Sequence, residues 1–197
     1  MISHKDDSAL ILVGYQNDYF SPTGCLYESV DSFSQMTLSN TLKILDHLHH
    51  VTIFTTPIIY STNYSEISED VGILKTIKAK NALQKGSVGA KTISVFDKFK
   101  DKMIEVPSQI GIDAFYNTNL DQLLKIKKIQ HVMIAGALCA INIDATAKSA
   151  KMKGYDVTII SDAISGRTKF EVSFYVNKIF PLYANLITSD ECLNQLQ

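Results

Sequence analysis

"VMIAGALCAINIDATAKSAKMKGYDVTIISDA", residues 132–163, reads as strand, helix, strand. The run from His131 to Gly136 is apolar on both alternations, as expected of a strand covered on both faces. The stretch from Ala140 onward is rich in small residues, carries its lysines late and reaches Gly154, a natural helix stop. Residues 156–161, "DVTIIS", form a second β-rich run, so the whole stretch predicts a parallel crossover unit. Cys139 stands at the joint between strand and helix. Backbone N–H groups at such a joint can stabilise a thiolate, whereas a buried cysteine commonly behaves as a small hydrophobe.

Further β-rich runs lie at 8–13, 51–56, 102–106 and 184–189, with amphipathic segments between them. Residues 34–50 place Met36, Leu38, Leu42, Leu45 and Leu48 close to one helical face. Residues 117–128 begin with a capping Asn or Thr and collect lysines in the last turn. This alternation predicts an α/β fold, a parallel sheet with helices on both faces. The chain reads as one domain, 1–197, with loops and short helices at about 57–101 forming an insertion over one end of the sheet.

The bulk numbers exclude several classes of partner. Nineteen basic and twenty acidic residues leave a net charge of −1, which gives no global field for nucleic acid or an anionic membrane. A small-molecule or protein partner is the expectation. Three widely spaced cysteines, Cys25, Cys139 and Cys192, argue for reduced thiols and a cytoplasmic setting. No signal peptide or membrane anchor is visible. "KGSVGA" (85–90) lacks the Lys-Ser/Thr of a P-loop, and the first strand runs into "GYQNDYF" instead of a dinucleotide fingerprint. His47, His49 and His50 suit a solvated helix end better than a metal, and no metal or other cofactor is expected. Tyr60, Tyr64, Phe96 and Phe99 are candidates for pocket lining or core. Gln16, Asn17 and Asp18 form a polar cluster at a carboxyl-terminal strand end, where a turn-capping role and a binding role weigh about evenly.

Taken in order, "ALILVGYQNDYFSPTGCL" (9–26), "KGSVGA", "DAFYNTNLDQLL" (113–124) and the opening stretch resemble the isochorismatase-like cysteine hydrolases, a family that includes nicotinamidases, N-carbamoyl amide hydrolases and isochorismatases. The resemblance spans nearly the whole chain. It implies a three-layer α/β/α fold with a six-stranded, mainly parallel, Rossmann-like sheet, and a homo-oligomer of two or more copies. It also implies an Asp, Lys and Cys triad in which a thiolate attacks an amide carbonyl. In register, Gly14 stands where the aspartate belongs, Gln109 where the lysine belongs and Asn142 where the nucleophile belongs. Cys139 falls at the family's threonine position, and a cis peptide is expected between Ala137 and Leu138.

The leading expectation is therefore a family homologue that has lost amide hydrolysis and keeps a small-molecule-binding or regulatory role. Its pocket would draw on Tyr15, Gln16, Asp18, Gln109, Phe115, Ala137, Leu138, Cys139 and Asn142. Vinyl-ether cleavage in the isochorismatase branch relies on the same aspartate, and Gly14 has no side chain to donate a proton. One alternative is a divergent hydrolase of a small C–N or ether substrate using Cys139, Asp18 or Asp113. Another is an oligomeric scaffold subunit. Cys139 is read as structural, with the reactive-thiol reading kept beside it.

Overall fold

A computed structural model describes residues 7–30, 33–48, 51–68, 70–108 and 111–196. Six parallel strands join one sheet in the order β3-β2-β1-β4-β5-β6. In chain order the elements are β1 (Ser8–Val13), α1 (Asn17–Phe20), α2 (Ser34–His47), β2 (Thr52–Thr56), α3 (Gly72–Ala79), β3 (Met103–Glu105), α4 (Leu120–Ile126), β4 (His131–Ala137), α5 (Asp144–Met152), β5 (Asp156–Ser165), α6 (Lys169–Phe174), β6 (Asn185–Ile187) and α7 (Ser189–Leu196). The sheet is wholly parallel, and strand order reverses beside β1, which pairs with both β2 and β4. A crevice at the carboxyl ends of β1 and β4 is where such a topology presents a site.

Two apolar layers flank the sheet. All six β1 residues are buried. Leu10 and Leu12 enter the layer on the α2 side, while Ala9, Ile11 and Val13 enter the layer shared with α4 and α5. The continuous apolar runs follow from this double coverage, because each alternation meets a hydrophobic neighbour. Gly136 lets β4 lie against β1: a Cβ there would stand 1.9 Å from the Val13 carbonyl oxygen.

Several elements differ from the expectations. The buried face of α2 is built on Ser34, Thr37, Thr41, Ile44 and Leu45, whereas Met36 is exposed and Leu38 and Leu42 only pack against the layer's margin. Apolar spacing alone missed this because Thr37 and Thr41 satisfy their hydroxyls inside, on the Ile164 and Thr37 carbonyls. Threonine is an acceptable core residue when its oxygen is paired. β5 runs ten residues to Ser165, beyond the expected end at 161, after a register irregularity against β4. Around 117–128 the helix is shorter, Leu120–Ile126, and Thr118 Oγ1 accepts from the Leu120 N–H just ahead of it. Residues 57–101 contain α3 and most of a 3-10 helix, Ser94–Lys102. The segment after β5 forms α6, a π-helical stretch (Tyr175–Ile179) and a short 3-10 turn, none of which the periodicity announced.

Candidate functional site

β1 leads into Gly14, which adopts φ +70°, and a Cβ on it would lie 2.6 Å from the Ala137 carbonyl oxygen. The backbone at the end of β4 thus occupies the space where a side chain at position 14 would begin. Ala137–Leu138 is a cis peptide, at the expected bond. After it the chain makes a π-helical turn, Cys139–Ile143, before α5.

That turn separates Cys139 from Asn142. Asn142 is buried and lines a small cavity with Val13, Thr56, Ser108, Gly111 and Asp113. Its Nδ2 donates to the Gly111 carbonyl at 2.5 Å, and its Oδ1 accepts from the Leu138 N–H at 3.4 Å. The cavity holds about 10 Å³, room for about one water. Asp113 is tied to the Phe115 N–H and the Ser149 hydroxyl, at 2.9 and 2.6 Å. Tyr60 also approaches: its hydroxyl is buried with no hydrogen-bond partner among the described residues, and a Cβ on Gly111 would stand 2.0 Å from it. Gln109 lies outside the described residues, as do His49 and His50.

Cys139 is fully buried in the layer shared with α5 and is absent from that cavity's lining. Its Sγ lies 3.5 Å from Glu171 Oε1, and Glu171 is itself paired with Arg167. Burial, reinforced by the Glu171 charge, pushes the thiol far above its ordinary range. The helix-start environment that could have made it acidic is outweighed. Glu171 and Arg167 come from the segment that carried no recognisable pattern.

The polar cluster after β1 works as a clip. Gln16 is fully buried, donates to the carbonyls of Ile58 and Ala90 at 2.8 and 2.7 Å, and accepts from the Ile58 N–H at 2.8 Å. Asp18 accepts from the Leu83 N–H at 2.7 Å, the Cys25 N–H at 3.3 Å and the Cys25 thiol at 3.0 Å. Burial and this carboxylate raise Cys25 to about 11. A Cβ on Gly89 would fall 2.2 Å from Asp18 Oδ1, which explains the second glycine of "KGSVGA". Both Gln16 and Asp18 therefore face the chain itself.

The remaining predicted pocket residues are distributed through the core. Tyr15 stacks on Phe20 and hydrogen-bonds Thr41 on the α2 side of the sheet. Phe115 stacks on Tyr155 in the opposite layer. Leu138 joins the α2-side layer with Tyr60, Tyr64, Phe96 and Phe99. The structure brings Gly14, Ala137, Leu138 and Asn142 together and leaves Cys139, Tyr15 and Phe115 pointing elsewhere. Thr56, Ser108 and Gly111, which complete the cavity, belong to segments with no motif. His47 Nδ1 binds the Lys43 carbonyl at 2.8 Å, consistent with a helix end, and no cluster of metal-ligating side chains occurs among the described residues.

The Isochorismatase domain matches residues 8–191. The chain belongs to the isochorismatase family. Its fold is shared with a cysteine hydrolase from Pseudomonas syringae pv. phaseolicola 1448A, at a TM-score of 0.82 and 17% identity over 98% of this chain and 93% of that one. An N-carbamoylsarcosine amidase from Thermoplasma acidophilum gives 0.72 and 19% over 93% and 97%. In sequence, the isochorismatase family protein YecD of Escherichia coli O157:H7 is 30% identical over 83 residues, 42% of this chain and 44% of that protein. The aligned segment thus spans less than half of that curated relative. Family membership establishes the hydrolase fold, and the site alone has to speak for chemistry.

Proposed function

We propose that this isochorismatase-family protein does not carry out the family's amide hydrolysis and instead serves a small-molecule-binding or regulatory role. Gly14, Gln109 and Asn142 take the positions of acid, lysine and thiol. The observation that carries the loss of hydrolysis is the state of Asn142: its amide is engaged at both ends, by Gly111 and Leu138, in a cavity with room for about one water, so a bound small molecule would have to sit elsewhere. No thiol lines that cavity among the described residues. The two alternative catalytic groups are committed elsewhere, Cys139 beneath Glu171 and Asp18 to Leu83 and Cys25.

A scaffold reading, with two or more copies assembling, has one observation in its favour. Phe170 and Phe174 stack on each other at 6.1 Å while 77% and 44% exposed. The unpaired thiols Cys25, Cys139 and Cys192 suit a reducing cytoplasm.

Incubation of purified protein with nicotinamide, N-carbamoylsarcosine and isochorismate tests the reading. No turnover above the buffer rate is expected. Turnover abolished by Asn142→Ala or Cys139→Ser overturns it. Light scattering across a concentration series tests assembly.

A further inference from the structure

A second concavity, of about 580 Å³, lies on the other face of the sheet from the small cavity beside Asn142. The strand alternation of β2 separates the two. Thr56 points to the cavity, whereas Thr55 lines this groove together with Met103 and Glu105 of the edge strand β3. The 3-10 helix Ser94–Lys102 forms the facing wall through Phe96, Asp97 and Lys100. The loop carrying Lys85 and Lys91 forms the lip. Its volume falls in the range of small-molecule sites, roughly 300–1,000 Å³.

The charges in this groove are not satisfied by the protein. Lysines 43, 78, 98, 125 and 148 each form an ion pair with an aspartate, whereas Lys75, Lys102, Lys127, Lys128 and Lys178, outside the groove, form none among the described residues. Lys85, Lys91 and Lys100 form none among the described residues, although Asp97 and Glu105 line the same groove and are likewise unpaired. Thr92 also lines the groove, and its buried Oγ1 has no hydrogen-bond partner among the described residues. Such a hydroxyl is expected to find a partner in a bound molecule or water.

The lip is held in place before any ligand arrives. The Asn17 side chain donates to the Val88 carbonyl, Gln16 to the Ala90 carbonyl, and the Asn17 and Asp18 N–H groups to the Lys91 and Gly89 carbonyls. The Lys85 N–H donates to the Tyr60 carbonyl. The clip after β1 thus pre-organises the lysine-bearing loop, which lowers the ordering cost of binding.

We infer that this groove binds a phosphate monoester of a small hydroxylated molecule, a sugar phosphate or nucleoside monophosphate. Lysine acts as a point-charge partner for phosphate, and a monoester near −2 can draw on three ammonium groups that outnumber the two carboxylates of the groove. Asp97 and Glu105, as acceptors only, select for hydroxyl donors on the rest of the ligand. The inference rests on the binding role proposed above for its biological meaning, while its geometry is independent of the small cavity beside Asn142.

Titration with ribose 5-phosphate and AMP, followed by calorimetry and backbone NMR, provides the test. Saturable binding is expected, with shifts confined to the 85–92 loop, the 94–102 helix and β3. The double variant Lys91→Gln, Lys100→Gln should weaken it at least tenfold, with circular dichroism and Tm unchanged because both side chains are exposed. Ribose should not bind, and inorganic phosphate should bind at least tenfold more weakly than the esters. Absence of saturable binding by both esters, equal binding by the variant, or inorganic phosphate matching the esters each overturns the inference. Hydrolysis assays report on the cavity beside Asn142 alone, so failure of one reading is distinguishable from failure of the other.

Discussion

The Ala137 carbonyl oxygen stands 2.6 Å from the position a Cβ on Gly14 would take. Position 14 is therefore glycine for two reasons, the contact and its φ of +70°. Gly14→Ala should destabilise the fold by about 2 kcal/mol or more, since the left-handed backbone alone costs roughly 1–2 kcal/mol for a side chain. Urea unfolding measures this. A variant as stable as the parent would show that the β4 terminus yields freely, and that a carboxylate could be accommodated there.

Asn142 donates to one backbone acceptor, Gly111, and accepts from one backbone donor, Leu138. Asn142→Asp keeps the shape but sets an anion against the Gly111 carbonyl at a buried position. The folded state then favours the protonated acid, so the introduced carboxyl has a folded pKa above its unfolded value of about 3.9. Destabilisation should be small below about pH 4 and grow as pH rises toward the folded pKa. Denaturation midpoints at pH 4 and pH 7 provide the check, and a pH-independent difference between variant and parent would contradict the arrangement.

The three thiols should react in a fixed order. Cys25 is half-buried and raised to about 11, Cys192 is buried and raised to about 12, and Cys139 is buried and shifted further upward. Iodoacetamide at pH 7.5 should label Cys25 slowly and leave Cys139 and Cys192 unmodified until the protein unfolds, as peptide mass spectrometry would show. The labelling rate of Cys25 should still be rising above pH 9. Rapid labelling of Cys139 at neutral pH would restore the nucleophile reading.

His131 begins β4 with its ring between two hydroxyls, Ser8 Oγ at 3.3 Å and Thr158 Oγ1 at 2.8 Å. Burial lowers its pKa, against the opposing charges of Asp156 and Asp7. The neutral ring is the folded form, so its contribution to stability is complete above the unfolded pKa of about 6.5 and is lost as pH falls through the folded value. Tm should fall between pH 7 and pH 5, and His131→Asn should flatten that part of the profile. An unchanged slope in the variant would assign the effect to other groups.

The core strands and the β4-α5-β5 crossover were legible because local chemistry and tertiary environment agree there: runs such as Ala9–Val13 and Val132–Ala135 are apolar on both alternations and buried on both faces. The family resemblance assigned Gly14 and Asn142 to the acid and nucleophile positions, and the structure sets Gly14 against Ala137 and Asn142 against Leu138, on either side of one peptide bond. What spacing could not supply was direction. Gln16 and Asp18 look like site residues in a linear reading, yet they bind the backbone of segments that follow up to 74 residues later. The buried face of α2 was misjudged because the partners of Thr37 and Thr41 include a carbonyl 127 residues away. Cys139 follows the same rule, since its neighbour Glu171 comes from a helix that no periodicity marked. Sequence by itself determined the sheet and its buried strands, because hydrophobic periodicity and turn chemistry are local, and the order of its motifs carried the resemblance to the family. Only the tertiary structure decided which polar groups are already satisfied and which, like the groove lysines, are not, because a hydrogen bond or ion pair depends on where distant segments meet.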